Sequence, residues 1–394
     1  MSRLWDKGAP LDERVLRYTA GEDHKLDERL VAYDIRASVA HAEMLHAQQL
    51  LSAADLDAIR SGLNALAAEH ERGEWHIELA DEDGQTALER RLSERIGTAG
   101  ARIHLGRSRN DQVLTAVRLY LRDAIATLAA GATQASHALD ELAEREHGTA
   151  LPGYTHLQQA MPSTVALWAG GFAAELRDDA LGLGQVLRRV DLSPLGSAAG
   201  YGTPGLPVDR EATRAALGFA MVHAPVTAVQ LSRGKAESQL LFEITLLLQD
   251  LGRFAADVLL FTTSEFGFVT LGEAFTTGSS IMPQKRNPDV FELIRGRTAT
   301  AQGCLLEALA VCAKLPSGYH RDLQLLKFPL FRGIDLALET LAIVPPAVAS
   351  LTFHPERIHL DDSIHAAEEA NRLVVSEGIP FREAYRRIAA RLKR

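Results

Sequence analysis

Apolar residues recur at alternating steps of three and four along several long stretches of this chain, a spacing that predicts α-helices. The longest series is Leu240, Ile244, Leu247, Leu251, Phe254, Val258 and Phe261. A second apolar line lies beside it, at Leu241, Leu248 and Ala255. A helix with so broad an apolar surface is predicted to be buried on more than one side, inside a bundle. The same rhythm occurs at Leu114, Val117, Leu121, Ala124 and Leu128.

Turn-forming residues separate the helical patterns. They are Pro152-Gly153, Pro162, Ser193-Pro194 and the segment 202–205. We therefore predict an all-α fold with a small, mostly helical N-terminal domain at 1–105. A central bundle of long helices follows at 106–354, with one helix at 289–315, and then a short, reduced C-terminal helical region at 355–394. Bundles with such long seams often continue across subunits, so we expect an oligomer.

Composition narrows the class of protein. The 394 residues are 46% hydrophobic and 24% charged, with a formal net charge of −9, as in globular proteins with a sizeable core. The chain has no basic block that favours nucleic acid or a membrane surface. The segment 1–10 lacks the apolar core of a signal peptide. The apolar stretch 341–351 is too short to cross a bilayer and contains two prolines. We expect a cytoplasmic protein without nucleic-acid or membrane partners.

The two cysteines, Cys304 and Cys312, are eight positions apart. On one helix that spacing is about 12 Å, whereas a disulfide needs Cα atoms within roughly 7 Å. We therefore predict free thiols in a reducing compartment. No zinc-like spacing of cysteine and histidine occurs, and no metal or other cofactor is predicted.

A glycine pattern at 200–205 matches Gly-x-Gly-x-x-Gly, which is typical of dinucleotide-binding folds. Such a site needs a strand before the glycines and a helix that begins within them. Here turn residues precede the pattern, and Pro204 and Pro207 disfavour a helix at its end. A loop is the better prediction.

Three polar segments interrupt the apolar helices. The first, at 106–112, reads Gly-Arg-Ser-Arg-Asn-Asp-Gln, and the spacing of Ser108 and Asp111 is that of a capping box. Free N–H groups and two arginines at a helix N-terminus favour an anion site. An ordinary cap with solvated arginines is the alternative.

The second and third polar segments carry groups suited to proton transfer. His156 lies between two prolines, on a constrained loop or in the first turn of a helix, and histidine titrates near neutrality, at about pKa 6.5. A lone histidine is also often only a structural hydrogen-bonding residue. The third segment, 276–288, is rich in glycine and serine and then cationic, and a flexible linker is its alternative interpretation.

Together the three segments resemble the signature regions of the fumarase/aspartase superfamily. The most specific mark is Gly-Ser-Ser-Ile-Met-Pro-Gln-Lys-Arg-Asn-Pro at 278–288. Within the superfamily, 106–112, Pro-Gly-Tyr-Thr-His-Leu-Gln at 152–158 and Asn-Pro-Asp-Val-Phe-Glu-Leu-Ile-Arg at 287–295 are similar to argininosuccinate lyases. The segments 233–235 and 319–327 are similar to a bacterial branch of that family. The resemblance extends from about Leu4 to about Ala389.

The resemblance implies a fold, an activity and an assembly. The fold is a fumarase/aspartase-like bundle of long central helices. The activity is β-elimination of argininosuccinate to arginine and fumarate, in arginine biosynthesis, without a metal or organic cofactor. The assembly is a homotetramer in which each active site is shared between subunits. A lyase acting on another succinyl-linked substrate and a catalytically silent structural relative are the alternatives.

The resemblance also implies roles for individual residues. Ser279 would be the catalytic base, activated by Lys285 and by N–H groups of its loop, and His156 its partner in proton handling. Which residue donates and which accepts each proton stays open. The implied substrate contacts are Ser108, Arg109, Asn110, Thr155, Asn287, Tyr319, Gln324 and Lys327.

Two further substrate-binding candidates depart from the family's pattern. Asp23 stands where many members have a serine. Gln85 follows Glu82-Asp83-Gly84 where Glu-Asp-x-His is common. A glutamine can donate and accept hydrogen bonds but cannot carry the charge of a protonated imidazole, so this supporting contact is expected to differ.

Overall fold

The computed structural model describes residues 12–392, and most of this chain is helical. In chain order the α-helices are α1 (Glu13–Ala20), α2 (Asp23–Leu26), α3 (Val31–Ala47), α4 (Ala53–Glu71), α5 (Gly84–Ile96), α6 (Thr98–Ala101), α7 (Arg109–Arg145), α8 (Val165–Gln185), α9 (Leu187–Val190), α10 (Arg210–Leu217), α11 (Ala228–Leu231), α12 (Lys235–Phe261), α13 (Asp289–Cys312), α14 (Lys327–Ala349), α15 (Ala366–Glu377) and α16 (Phe381–Leu392). The predicted all-α fold is confirmed. The segment 1–10, searched for a signal peptide, and Leu4, where the resemblance begins, lie outside the described residues.

Short strands form three two-stranded pairs in the described chain. Strand β1 (Ala150–Thr155) pairs antiparallel with β2 (Gln158–Thr164). Strand β3 (Leu192–Ser193) pairs parallel with β4 (Met221–Val222), and β5 (Val269–Thr270) pairs antiparallel with β6 (Thr352–Phe353). The β1–β2 hairpin was not predicted, because its residues do not alternate between apolar and polar.

The chain divides into two compact units, and each division falls inside a long helix. The first unit takes the described chain up to Leu128, then Gly182–Ile244 and Ala301–Asp335. The second takes Ala129–Leu181, Thr245–Thr300 and the described chain from Leu336 onward. Helices α7, α8, α12, α13 and α14 each contribute residues to both units. The predicted division at 105 and 354 stays a prediction.

In the first unit, α3, α4 and α5 enclose an apolar core. Leu45, Ile59, Leu63 and Leu92 are among its fully buried side chains. Burying a side chain of this size contributes about 1.5–3 kcal/mol relative to leaving it exposed. The close packing requires a glycine at Gly62, where an added Cβ would lie 2.8 Å from Leu92 Cδ1. This core supports the ends of the helices that line the cavity described below.

The long apolar series of the sequence forms α12 as predicted. All seven of its residues from Leu240 to Phe261 are at most 3% exposed. In the second unit Phe254 stacks on Trp168 with ring centroids 5.2 Å apart. The Trp168 indole N–H donates to Asp257 at 2.9 Å. Aromatic pairs of this kind contribute about 0.5–1.5 kcal/mol beyond their burial.

Several smaller predictions also have outcomes. Helix α13 ends at Cys312 rather than 315, because Lys314 adopts a left-handed φ of 66° two residues before Pro316. Both cysteines lie on α13 as free thiols, as predicted. The 200–205 segment is a loop, as predicted. Among residues 12–392, no helix is long and apolar enough to cross a membrane.

Candidate active site

A polar cavity of about 100 Å³ lies in the first unit. It forms where α2, the start of α5 and the first turns of α7 meet the segments that precede α12 and α14. Its lining residues are Asp23, Asp83, Gln85, Arg109, Asn110, Val113, Arg233, Tyr319, Arg321, Gln324 and Lys327. Seven of the predicted substrate-binding residues are thus brought together: Asp23, Gln85, Arg109, Asn110, Tyr319, Gln324 and Lys327.

Lys327 anchors a buried cluster of charges at this cavity. Its Nζ lies 2.9 Å from Asp23 Oδ2 and 2.6 Å from Asp27 Oδ1. Burial raises the pKa of Asp23 to about 7, although Lys327 opposes this rise. Burial likewise raises the pKa of Asp27. The pKa of Lys327 is raised because the two carboxylates outweigh the effect of burial. Lys327 therefore keeps its charge at neutral pH, and the raised pKa of Asp23 brings the titration of this acid towards neutrality.

The first polar segment begins α7, as the capping spacing predicted. The Ser108 N–H donates to Asp111 Oδ1 at 3.0 Å, and Ser108 Oγ accepts from Asn110 N–H at 3.3 Å. Ser108 therefore caps the helix beside the cavity and is not among its lining residues. Arg109 reaches Asp83 Oδ2 at 2.8 Å. Asp83 also caps α5 by accepting from Thr86 N–H at 2.8 Å. The two caps hold Arg109 at the cavity.

The segment before α14 is tied to the end of α1. The Gln324 amide group donates to the carbonyl oxygens of Thr19 and Ala20, at 3.0 and 3.2 Å. Arg321 donates to Thr19 O at 2.8 Å and lies 3.4 Å from Glu82 Oε2. The amide donors of Gln324 thus contact the main chain in this structure. A ligand that binds this amide must share or displace these contacts.

Gln85 is buried at the cavity wall, close to a further buried acid, Asp34. Burial raises the pKa of Asp34 to about 6, against opposing contributions from Arg107, Gln112 and Gln85. Gln112 Nε2 donates to both carboxylate oxygens of Asp34, at 2.9 and 3.2 Å. Because Gln85 is neutral, it adds no positive charge to this cavity.

The second polar segment lies in the second unit, at the turn of the β1–β2 hairpin. Thr155 ends β1, and His156 and Leu157 form the two-residue turn with positive φ values of 53° and 59°. This is the conformation that tight hairpin turns require. Of the two predicted settings for His156, the constrained loop is confirmed. Thr155 and His156 are exposed in the single chain.

The third polar segment, also in the second unit, is a loop closed at its base. Thr277 and Asn287 exchange two main-chain hydrogen bonds, of 3.1 and 2.8 Å. Within the loop, Ser279 Oγ accepts from the N–H groups of Ile281 and Met282, at 3.3 and 3.1 Å. Lys285 is exposed, and the Asn287 side chain lies 3.4 Å from Gly278 O. Donors directed at a hydroxyl oxygen favour its deprotonated form.

Four charged residues at the cavity were not predicted. Asp83, Arg233 and Arg321 line the cavity, and Asp27, which is not a lining residue, pairs with Lys327. For Asp27, the signal in the sequence was its four-residue spacing from Asp23, which places the two side chains on one helical face. Among residues 12–392, no group of histidine, cysteine, aspartate and glutamate is arranged to hold a metal ion.

Comparison with known proteins identifies similar lyases. The sequence model of the lyase family matches residues 12–303. An argininosuccinate lyase of Sorangium cellulosum (strain So ce56) is 49% identical over 393 residues, which cover 99% of this chain and 90% of the relative. An argininosuccinate lyase of Stenotrophomonas maltophilia (strain R551-3) is 42% identical over 390 residues, with 98% and 90% covered.

Solved structures share the fold. EDDS lyase in complex with formate superposes with a TM-score of 0.80 at 25% identity, covering 97% of this chain and 76% of that one. A class II fumarase from Schistosoma mansoni superposes with a TM-score of 0.80 at 17% identity, covering 98% and 91%. The latter likeness concerns the fold alone.

Proposed function

Because the chain belongs to the lyase family and, within it, to the argininosuccinate lyases, we propose that it cleaves argininosuccinate to arginine and fumarate by β-elimination. The reaction would serve arginine biosynthesis in the cytoplasm. Its chemistry is the removal of a proton beside a carboxylate, followed by expulsion of the guanidinium nitrogen. The carbanion adds negative charge to an anionic substrate, so the site must supply positive charge and oriented donors.

The observation that carries this proposal is the charge pattern of the cavity. Arg109, Arg233 and Arg321 line it together with Asp23 and Asp83. Argininosuccinate has three carboxylates and also cationic nitrogen groups. Arginine side chains bind carboxylates through paired, charge-assisted hydrogen bonds, and aspartates suit the cationic groups. The mixed cavity therefore fits a substrate with both signs of charge better than it fits a simple dicarboxylate.

Ser279 is the proposed base. A neutral serine is a poor base, and its hydroxyl must lose a proton to act. The N–H groups of Ile281 and Met282 contact its Oγ and would stabilise the negative charge that develops there. Lys285 would add positive charge to the same loop, and Asn287 would bind substrate from the closed base of the loop. Exclusion of water when the loop closes would strengthen both effects.

His156 is the proposed partner of Ser279, placed to protonate the departing nitrogen, with Thr155 beside it as a substrate contact. The tight turn fixes the main chain of His156, so its imidazole is presented from a rigid support. The assignment of acid and base between His156 and Ser279 follows the family resemblance.

We further propose a homotetramer whose active sites combine chains. Small-molecule cavities commonly measure about 300–1,000 Å³, and the cavity here measures about 100 Å³. Residues from other chains would then complete the substrate site. Exposed apolar side chains on the long helices favour extensive subunit contacts. They are Leu167, Leu181, Phe242, Leu246, Leu293, Leu306 and Leu309.

The test is an assay of the purified full chain with argininosuccinate and no added metal. We expect growth of the ultraviolet absorbance of fumarate's double bond, with arginine as co-product in equal amount. Adenylosuccinate, aspartate and malate are assayed in parallel, and we expect no turnover of these. If a folded oligomer releases fumarate from one of them instead, the substrate assignment is wrong. If it releases none from any, the chain is a silent relative, and Gln85→His becomes the informative variant.

A further inference from the structure

Among the described residues, those that line a second cavity in the first unit include several cations and no acid. The cavity measures about 440 Å³. Its lining residues are Arg118, Arg188, Arg189, Leu192, His223, Ala228, Leu231, Ser232, Lys235 and Ala236. None of the roles proposed for the reaction involves these residues. The volume lies within the usual range for small-molecule sites.

Within the described chain, the cations of this second cavity form no ion pairs with carboxylates. Among residues 12–392, no ion pair within 4.0 Å involves Arg118, Arg188, Arg189 or Lys235. Asp191 and Glu237, which are close in sequence to lining residues, have other partners. Asp191 pairs with Arg122 at 3.5 Å, and Glu237 lies 3.7 Å from Arg233 while accepting from Gly234 N–H at 2.9 Å.

Arg118 is the fixed element of the cavity. It is 3% exposed, and it donates to Leu192 O and, at 2.9 Å, to Ser232 Oγ. A buried guanidinium with neutral partners alone retains an uncompensated charge, which is costly to bury. An anion in the cavity would offset this cost. Burial, with Glu237 opposing and Arg233 reinforcing it, lowers the pKa of Arg118 to about 10, which leaves it charged at neutral pH.

His223 adds a neutral donor to these cations. Its Nδ1 lies 3.0 Å from Arg118 Nη1, and because a guanidinium can only donate, Nδ1 must accept. The ring proton therefore resides on Nε2. Burial, together with Arg118, Arg210 and Lys235, lowers the pKa of His223 to about 4, so the ring is neutral at pH 7.

We propose that this second cavity binds a small organic anion through a phosphate or carboxylate group held by Arg118, Arg188 and Lys235. The apolar part of the wall, from Leu192, Ala228, Leu231 and Ala236, would contact the ligand's carbon skeleton. The second cavity is separate from the candidate active cavity, but the segment 232–235 contributes residues to both. Ser232 and Lys235 line the second cavity, and Arg233 lines the first.

The experiment measures binding by calorimetry on the intact oligomer, at low and constant ionic strength because salt screens such contacts. Inorganic phosphate and malonate serve as separate probes. We expect the double variant Arg188→Gln/Lys235→Gln to weaken binding of at least one probe tenfold or more. The probe that binds more tightly to the wild type assigns the ligand as phosphate or carboxylate. Arg386→Gln is the matched control, because Arg386 is an exposed arginine that lines neither cavity, and it should leave binding unchanged.

Two further variants locate the binding. Arg321→Gln alters the candidate active cavity alone and should leave this binding intact. Ser232→Asp keeps every cation but places a carboxylate beside Arg118, and it should abolish binding in a protein that still unfolds cooperatively. If neither probe binds the wild type, the proposal is wrong. This is also the result expected if another subunit fills the cavity. Loss of binding in Arg321→Gln with retention in the double variant overturns the proposal as well.

Discussion

Asp23, Asp27 and Lys327 form the most strongly perturbed set of charges at the candidate active cavity. The ammonium group of Lys327 lies between two buried carboxylates, and its single positive charge cannot neutralise both of them. Desolvation raises the pKa of both acids and so favours a proton on the pair. An aspartate here makes the cavity's charge depend on pH near neutrality, which a serine would not.

Replacing Asp23 with asparagine should change how stability depends on pH. Because burial raises the folded-state pKa of Asp23 to about 7 from 3.8, its contribution is fully present below pH 3.8 and is lost as pH rises through 7. For one proton the slope is at most about 1.4 kcal/mol per pH unit. In Asp23→Asn this part of the slope should vanish, as measured by urea unfolding from pH 5 to 8.

The control for this prediction is Asp361→Asn. Asp361 is exposed, and hydrogen bonds from Ser363 lower its pKa. Its contribution is therefore constant above pH 4, and the variant should keep the wild-type slope between pH 5 and 8. Parallel pH profiles for Asp23→Asn and wild type would refute the assigned titration.

Ser279→Ala should abolish turnover of argininosuccinate and leave assembly intact. Proton transfer by a positioned group contributes about 10²–10⁴-fold to the rate, so kcat should fall at least about 100-fold. Steady-state kinetics and size-exclusion chromatography are the measurements. Ser280→Ala, one residue further along the loop, is the control and should retain most activity. A near-normal rate in Ser279→Ala would remove Ser279 from the role of base.

At the scale of secondary-structure elements, the turn of the β1–β2 hairpin has a strained main-chain conformation that residues within a regular α-helix do not adopt. Its two-residue turn holds His156 and Leu157 at positive φ. For residues other than glycine this conformation costs about 1–2 kcal/mol. Leu157 is 78% exposed, so its side chain contributes little packing within the chain. The turn therefore fixes the position of His156 at the expense of local strain.

Leu157→Gly should raise the free energy of unfolding by up to about 1 kcal/mol, because glycine adopts positive φ readily. The gain is smaller than the strain because glycine is also more flexible in the unfolded chain. Leu157→Val should lower the free energy of unfolding, since a β-branched side chain disfavours positive φ. Chemical denaturation of both variants gives the comparison. Equal stability of the two variants would show that the turn is not strained.

At the scale of the whole molecule, the proposed catalytic residues divide between the two units. The substrate cavity with Asn110 and Lys327 belongs to the first unit, and His156 and Ser279 belong to the second. The proposed homotetramer would assemble each site from segments of different chains. A site shared between chains should allow two different inactive variants to complement each other, whereas a site within one chain should not.

Mixing inactive Ser279→Ala chains with inactive His156→Asn chains should restore part of the activity. Some sites in mixed tetramers would then contain both wild-type residues, because each residue comes from a different chain. Random mixing by denaturation and refolding, followed by a fumarate assay, measures the recovery. Each variant refolded alone is the control and should stay inactive. Lasting inactivity in verified mixed tetramers would count against shared sites.

The sequence by itself determined the helices and the segments that carry the chemistry. The α12 series and the cap at Ser108 depend on local spacing and local hydrogen bonds, which are properties of neighbouring residues. The signature segment 278–288 was recognisable for the same reason. The tight hairpin at His156 was not predicted. The hairpin depends on pairing between two strands, as between Leu151 and Ser163, and periodicity within one strand does not reveal such pairing.

Only the tertiary structure decided which charges share one cavity. Asp27 and Lys327 are 300 residues apart in sequence, yet their side chains lie within 2.6 Å. Arg233 likewise reaches the candidate active cavity while Lys235, two residues later, lines the second one. A perturbed pKa such as that of Asp23 arises from burial and from neighbours distant in sequence. Composition and spacing cannot supply these quantities, because they depend on how the helices pack.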